Sequence, residues 1–207
     1  MLDRYLRTSK EQTLSPAALR LLRPVHPTAI TVVALGGGLG GGVAAWQQAY
    51  LLALALWLLN RLLDGLDGTV ARLQQKQSDL GGYLDVVLDT LVYALLPLGL
   101  ALAADTAAGY LSLALLLASF YLNSASWLYL AALLEKRKAG AQARGELTTI
   151  TMPGGLIEGT ETIICFCLFL LFPSAMVVLF LVMAALVLFT VGQRLVWAVR
   201  HLAPPGA

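Results

Sequence analysis

The chain is 207 residues long, 58% of them hydrophobic and 13% charged, with a mean hydropathy of +0.77. These values exclude an ordinary soluble domain and identify a single all-α integral membrane domain. The net charge of +2 says little as a total, but its distribution along the chain is strongly uneven.

Residues 1–26 carry Arg4, Arg7, Lys10, Arg20 and Arg23 without a long apolar core, so no cleavable signal peptide is expected. Ser15 followed by Pro16 marks a helix start, and Leu19, Leu21 and Leu22 beside Arg20 and Arg23 predict a short amphipathic helix on the membrane surface, ended by Pro24. An irregular basic tail is the alternative. Thr28 to about Ala45 is apolar over the length a bilayer requires and predicts helix 1. Its GGGLGGG run contains a GxGxxG spacing, but no strand precedes it, so it is not a nucleotide loop. Gly36 with Gly40 and Gly38 with Gly42 instead place small residues four apart, a spacing for close helix contact.

Helix 2 starts near Ala49, and its purely apolar part ends at Leu59, too short to span, so it carries Arg61, Asp64 and Asp67 toward the far face. Helix 3 is expected from about Asp79 to Ala104, helix 4 from Ala108 to Leu134, and helices 5 and 6 from Gly154 to Phe172 and Ser174 to Ala198. The expected fold is therefore six transmembrane helices over 27–200, behind a cytoplasmic surface segment at 1–26. Cys165 and Cys167, two apart, point to different helical faces and read as packing residues.

With six spans, all fourteen Lys and Arg residues fall on one side: the N-terminal five, then Arg61, Arg72 and Lys76, then Lys136, Arg137, Lys138 and Arg144, then Arg194 and Arg200. The opposite connections have none, which predicts both termini and the Asp-rich region on the cytoplasmic side of a bacterial-type inner (plasma) membrane.

That region, Asp64 to Asp89, places four carboxylates inside apolar sequence. Each costs on the order of 2.5 to 3.5 kcal/mol at the centre of a membrane helix, so they persist only where they face cations or a polar cavity. Asp64 and Asp89 each lie about 22 Å from the outer ends of their helices, and Asp67 and Asp85 at about 27 to 28 Å. Spacings of three and four put each pair on one face, so two antiparallel helices can close four carboxylates around one point. Gly81 shares the face of Asp85 and Asp89, while Gly68 and Ala71 adjoin the other pair, leaving room for a ligand. Four carboxylates without His or thiolate call for a hard divalent cation, Mg²⁺ or Mn²⁺, and their charge suits two ions. Salt bridges to Arg61, Arg72 or Lys76 are the structural alternative. Three cations do not neutralise four anions, however, and Arg61 reads as lying across the turn from some of them.

Asp64, two residues, Asp67-Gly68, two residues, Ala71-Arg72, eight residues, Gly81, three residues, Asp85, three residues, Asp89 closely resembles the complete motif of the CDP-alcohol phosphotransferases. More weakly, His26-Pro27-Thr28-Ala29-Ile30-Thr31 is similar to the Pro-Asn-x-x-Thr start of helix 1 in that family, with Thr28 in place of the usual Asn. The resemblance implies six transmembrane helices in a homodimer and transfer of a phosphoalcohol from a CDP-linked donor to an acceptor hydroxyl, with release of CMP. It implies that Asp64, Asp67 and Asp85 bind metal, that Asp89 completes a second metal site and takes the acceptor's proton, and that Gly68, Ala71, Arg72 and Gly81 hold the CDP portion. The expected donor is CDP-diacylglycerol, a membrane lipid. Glycerol 3-phosphate, an inositol phosphate, serine and other alcohols are all open as acceptor, and no nucleic-acid partner is expected. Transfer from a small CDP-alcohol to a lipid acceptor is an alternative. A metal or proton transporter is another, but the outer halves of helices 2 and 3 are almost purely apolar. A noncatalytic relative is a third, against which the intact Asp89 argues.

A second charged group lies outside the motif. Glu158 reads as an acidic residue near a helix N-terminus, and Arg194 is expected to meet Glu161. That pair would either border a cytoplasmic cavity through which the acceptor enters or simply join helices 5 and 6. Asn123, Ser124 and Ser126 of helix 4 line a cavity or bond between helices.

Overall fold

The computed structural model describes residues 27–140 and 155–202, and all regular structure among them is helical. Six helices follow in order: α1 Pro27–Trp46, α2 Tyr50–Leu73, α3 Asp79–Ala104, α4 Ala107–Lys136, α5 Gly159–Leu171 and α6 Met176–Leu202, the last preceded by a 3₁₀ turn at Pro173–Ala175. The surface helix expected after Ser15 lies outside the described residues. Four helices, α1, α3, α4 and α6 with its leading turn, are long and apolar enough to cross a membrane. The surface has the inverted polarity of a chain solvated by lipid. Leu51 is 77% and Val178 62% exposed, while Asn60 and Arg194 are at 2% and 7%.

Local chemistry explains the boundaries. Ser78 and Thr106 sit in extended conformation and accept the N–H groups of Gly81 and Gly109, each at 3.1 Å, which starts α3 and α4. Asp105, in the left-handed region at φ 45°, ends α3. Helix α5 begins five residues later than the Gly154 expected from sequence. Glu158 and Glu161 form a reciprocal capping box there. Ahead of it, the N–H groups of Leu156 and Ile157 donate to Gln193 and Thr190 of α6, both at 3.0 Å. The segment before α5 is thus tied to α6 and bends at Leu156 and Ile157 instead of winding into a first turn.

Helix α1 packs against both α2 and α3, and α4 packs against α6. The glycine run works on two faces. Gly37 and Gly41 approach backbone oxygens of α2, whereas Gly38 and Gly42 approach Val92 and Leu95 of α3. The Gly38 and Gly42 pairing matches the expected close contact; Gly36 faces open space, so its expected partnership with Gly40 is replaced by that of Gly37 with Gly41. On the opposite side of the junction, Gly99 lies so close that an added Cβ would run into the Gly42 carbonyl. An aromatic column ties the bundle together. Phe180 of α6 meets Phe169, Phe169 meets Phe166, and Phe166 stacks on Trp57 of α2 at 4.9 Å between centroids.

Gly99→Ala should therefore lower stability by about 1 to 3 kcal/mol through overpacking. Gly36→Ala should leave it unchanged or slightly raised. Thermal unfolding in detergent distinguishes the two, and equal transition temperatures would contradict the packing described.

Candidate metal and transfer site

Two helices carry the four motif carboxylates, and α1 flanks both. Asp64 and Asp67, three apart on α2, and Asp85 on α3 each offer an oxygen within 4.8 Å of the others. Asp67 is buried, and Thr31 of α1 donates to its Oδ2 at 2.6 Å, so the α1 start fixes the innermost carboxylate. The same hydroxyl also reaches the Pro27 carbonyl at 3.3 Å. All the donors are carboxylate oxygens, a set that fits a hard divalent ion such as Mg²⁺ or Mn²⁺.

Asp89 is held differently. Arg61 of α2 grips it with both terminal nitrogens, Nη2 to Oδ1 at 2.5 Å and Nη1 to Oδ2 at 2.9 Å. This guanidinium, with a side chain only 6% exposed, also lies 3.5 Å from Asp64. Its own position is closely determined. Nε donates to Asn60 Oδ1 at 2.8 Å, Nη1 donates to the Tyr93 hydroxyl at 3.0 Å, and the Arg61 plane rests over the rings of Trp57 and Tyr93 at 4.8 and 5.1 Å. Asn60, itself buried, donates to the Ala34 carbonyl of α1 at 2.7 Å. The expectation that Arg61 lies across the turn is thus corrected. Three residues separate it from Asp64, which puts the two on neighbouring positions of one helical face.

The remaining motif residues flank this group along the chain. Gly68 is open except toward Arg72, whose Nη1 would lie 3.6 Å from an added Cβ, and Arg72 donates to Thr69 Oγ1 at 3.2 Å. Ala71 and Arg72 are half-buried, and Gly81 is exposed with only Ser78 Oγ beside it, at 3.2 Å from an added Cβ. Sequence reasoning missed Thr31 as a partner of Asp67 and the Asn60, Arg61 and Tyr93 set around Asp89. Two signals were present: a polar Asn-Arg pair one turn before Asp64, and a tyrosine four residues after Asp89 on the same helical face.

The second charged group takes another form than expected. Glu161 stands in the first turn of α5 and accepts the Glu158 N–H at 3.2 Å, while Glu158 accepts the Gly155 N–H at 3.0 Å. Buried Arg194 donates to Asn123 Oδ1 at 2.5 Å, joining α6 to α4, and the charge of Glu158 acts on it. Asn123 therefore bonds between helices.

Known proteins are similar to this chain in sequence and in architecture. The family model for CDP-alcohol phosphatidyltransferase matches residues 24–192. An inner membrane protein of Escherichia coli (strain K12), YnjF, is 39% identical over 179 residues, covering 84% of each chain. The bifunctional IPC transferase and DIPP synthase of Thermococcus kodakarensis is 31% identical over 203 residues, covering 89% of this chain and 42% of that protein. In fold, the chain is similar to the phosphatidylinositol phosphate synthase PgsA1 of Mycobacterium tuberculosis solved with CDP-DAG bound. The TM-score is 0.70 at 20% identity, over 94% of this chain and 96% of that one. The same enzyme in complex with manganese and citrate gives a TM-score of 0.69 at 21% identity, over 93% and 90% of the two chains. With four helices long and apolar enough to cross a membrane, an oxygen-donor cluster between two helices and the family model matched over residues 24–192, this integral membrane chain belongs to the CDP-alcohol phosphatidyltransferase family.

Proposed function

We propose that the chain transfers a phosphatidyl group from CDP-diacylglycerol to the hydroxyl of a small acceptor alcohol and releases CMP. The observation that carries this reading is the convergence of Asp64, Asp67 and Asp85 oxygens within 4.8 Å, with Asp89 one helical turn beyond Asp85. The family's activity and the CDP-DAG complex of the PgsA1 neighbour support the choice of donor. Asp64, Asp67 and Asp85 would hold a divalent ion, and Asp89 would complete a site for a second. When bound, such ions neutralise the diphosphate and make CMP a feasible leaving group.

The chain's own residues supply the rest. Asp89 accepts the proton of the acceptor hydroxyl as its oxygen bonds to the phosphorus bearing diacylglycerol. The bond from that phosphorus to the bridging oxygen breaks, and its electron pair leaves with CMP. Gly68, Ala71 and Gly81 leave space for the CDP portion against the backbone, and Arg72 contributes a cation to it. In this reading helices α2 and α5 complete six spans with the four apolar ones, and the one-sided distribution of basic residues supports a cytoplasmic site and cytoplasmic termini. There the diphosphate stays at the interface while the acyl chains remain in hydrocarbon. The protein acts as a homodimer in this reading.

CMP release from CDP-diacylglycerol should require Mg²⁺ or Mn²⁺ and one member of a panel comprising glycerol 3-phosphate, inositol phosphate and serine. Turnover surviving exhaustive chelation would contradict the mechanism. Asp89→Asn should lower kcat by about 10²- to 10⁴-fold, the range of general-base catalysis, while retaining substantial nucleotide affinity. Unchanged turnover would reassign the base. Gly81→Leu should block donor binding to folded protein more severely than it impairs folding, since Gly81 is exposed with only the Ser78 hydroxyl beside it. Undiminished CDP-diacylglycerol affinity in that variant would remove Gly81 from the donor site.

A further inference from the structure

The four motif carboxylates are chemically alike, yet the fold divides them into three and one. Asp64, Asp67 and Asp85 converge on one another, whereas both oxygens of Asp89 are engaged by Arg61. Arg61 is not free to follow Asp89 elsewhere. Its Nε is anchored on Asn60, Asn60 is anchored on the α1 backbone, and its flat faces are occupied by Trp57 and Tyr93. A forked, charge-assisted grip on both oxygens is among the stronger side-chain interactions, and here its cationic half is immobilised from three directions.

We propose that Arg61 is a positioning residue that occupies both oxygens of Asp89, so that divalent ions load in a fixed order. The first ion binds at Asp64, Asp67 and Asp85 with the latch closed. A second ion, which needs Asp89, binds only when Asp89 releases the guanidinium, and its affinity is reduced by the cost of that release. Arg61 thereby makes the second site weak in the absence of substrate. A diphosphate, adding negative charge beside the first ion, tips the balance toward the loaded state. This inference rests on the metal-dependent reading of the site.

The test is equilibrium binding of Mn²⁺ to the purified full-length protein, followed by electron paramagnetic resonance, which separates single ions from spin-coupled pairs. Wild type should show one tight ion and a much weaker second. In Arg61→Gln the second affinity should rise about tenfold or more relative to the first, because a charge-assisted forked contact no longer competes. Arg61→Lys preserves the buried cation, and with it the fold, but removes the fork, and should raise the second affinity by a smaller factor with the first unchanged. Equal changes in both affinities would mean a general field effect and would overturn the latch, as would an unaltered or weakened second site. Weakening of both sites would assign Arg61 a structural role and likewise overturn it. Absence of bound Mn²⁺ in wild type and variants alike would instead defeat the metal-dependent reading on which the latch is built.

Discussion

The structure depends on how mutually repelling carboxylates are kept together at the ends of apolar helices. Oxygens of Asp64, Asp67 and Asp85 lie within 4.8 Å of one another, so the three carboxylates repel when ionised. The Arg61 contact with Asp64 and the Thr31 hydroxyl on Asp67 offset part of this. Rigid scaffolding must hold the two carboxylate-bearing helices together. Helix α1 provides it, packing on both carboxylate-bearing helices through glycines that permit backbone contact and anchoring Asn60 and Asp67 by hydrogen bonds.

Core and site are one continuous construction. The aromatic column from Phe180 through Phe169 and Phe166 ends on Trp57, and Trp57 is the surface on which Arg61 lies. Tyr93 meets both Trp57 and Phe166 edge-on, and its hydroxyl accepts a hydrogen bond from Arg61 Nη1. The packing that holds α5 and α6 to α2 thus also fixes the cation beside Asp89. At the other charged group, the segment before α5 is tied to Thr190 and Gln193, and Arg194 is tied to Asn123, so α4, α5 and α6 are connected by a second polar set.

Much of this was legible in the sequence because helical geometry is local. Apolar length located the helices, α3 was expected from about Asp79, where it starts, and the spacing of three and four placed the carboxylates on facing sides of two helices. What was not legible depended on tertiary register. Arg61 finds Asp89 28 residues away, and Thr31 finds Asp67 36 residues away, distances over which periodicity carries no information. The Arg61 contact with Asp64 was within reach of local reasoning, since the two stand at i and i+3; it was set aside because Arg61 was read as lying across the turn. The start of α5 was placed five residues early because Pro153 was read as the helix-start signal, and Glu161 was then assigned to an ion pair across helices. Together with Glu158 it forms the capping box that defines the helix start.

The most direct measurement of the central claim is anomalous diffraction at the manganese edge from crystals of the protein grown with Mn²⁺. The account predicts a peak coordinated by Asp64, Asp67 and Asp85. A fully occupied lattice of metal-free carboxylates under those conditions, or manganese bound only elsewhere in the chain, would contradict it.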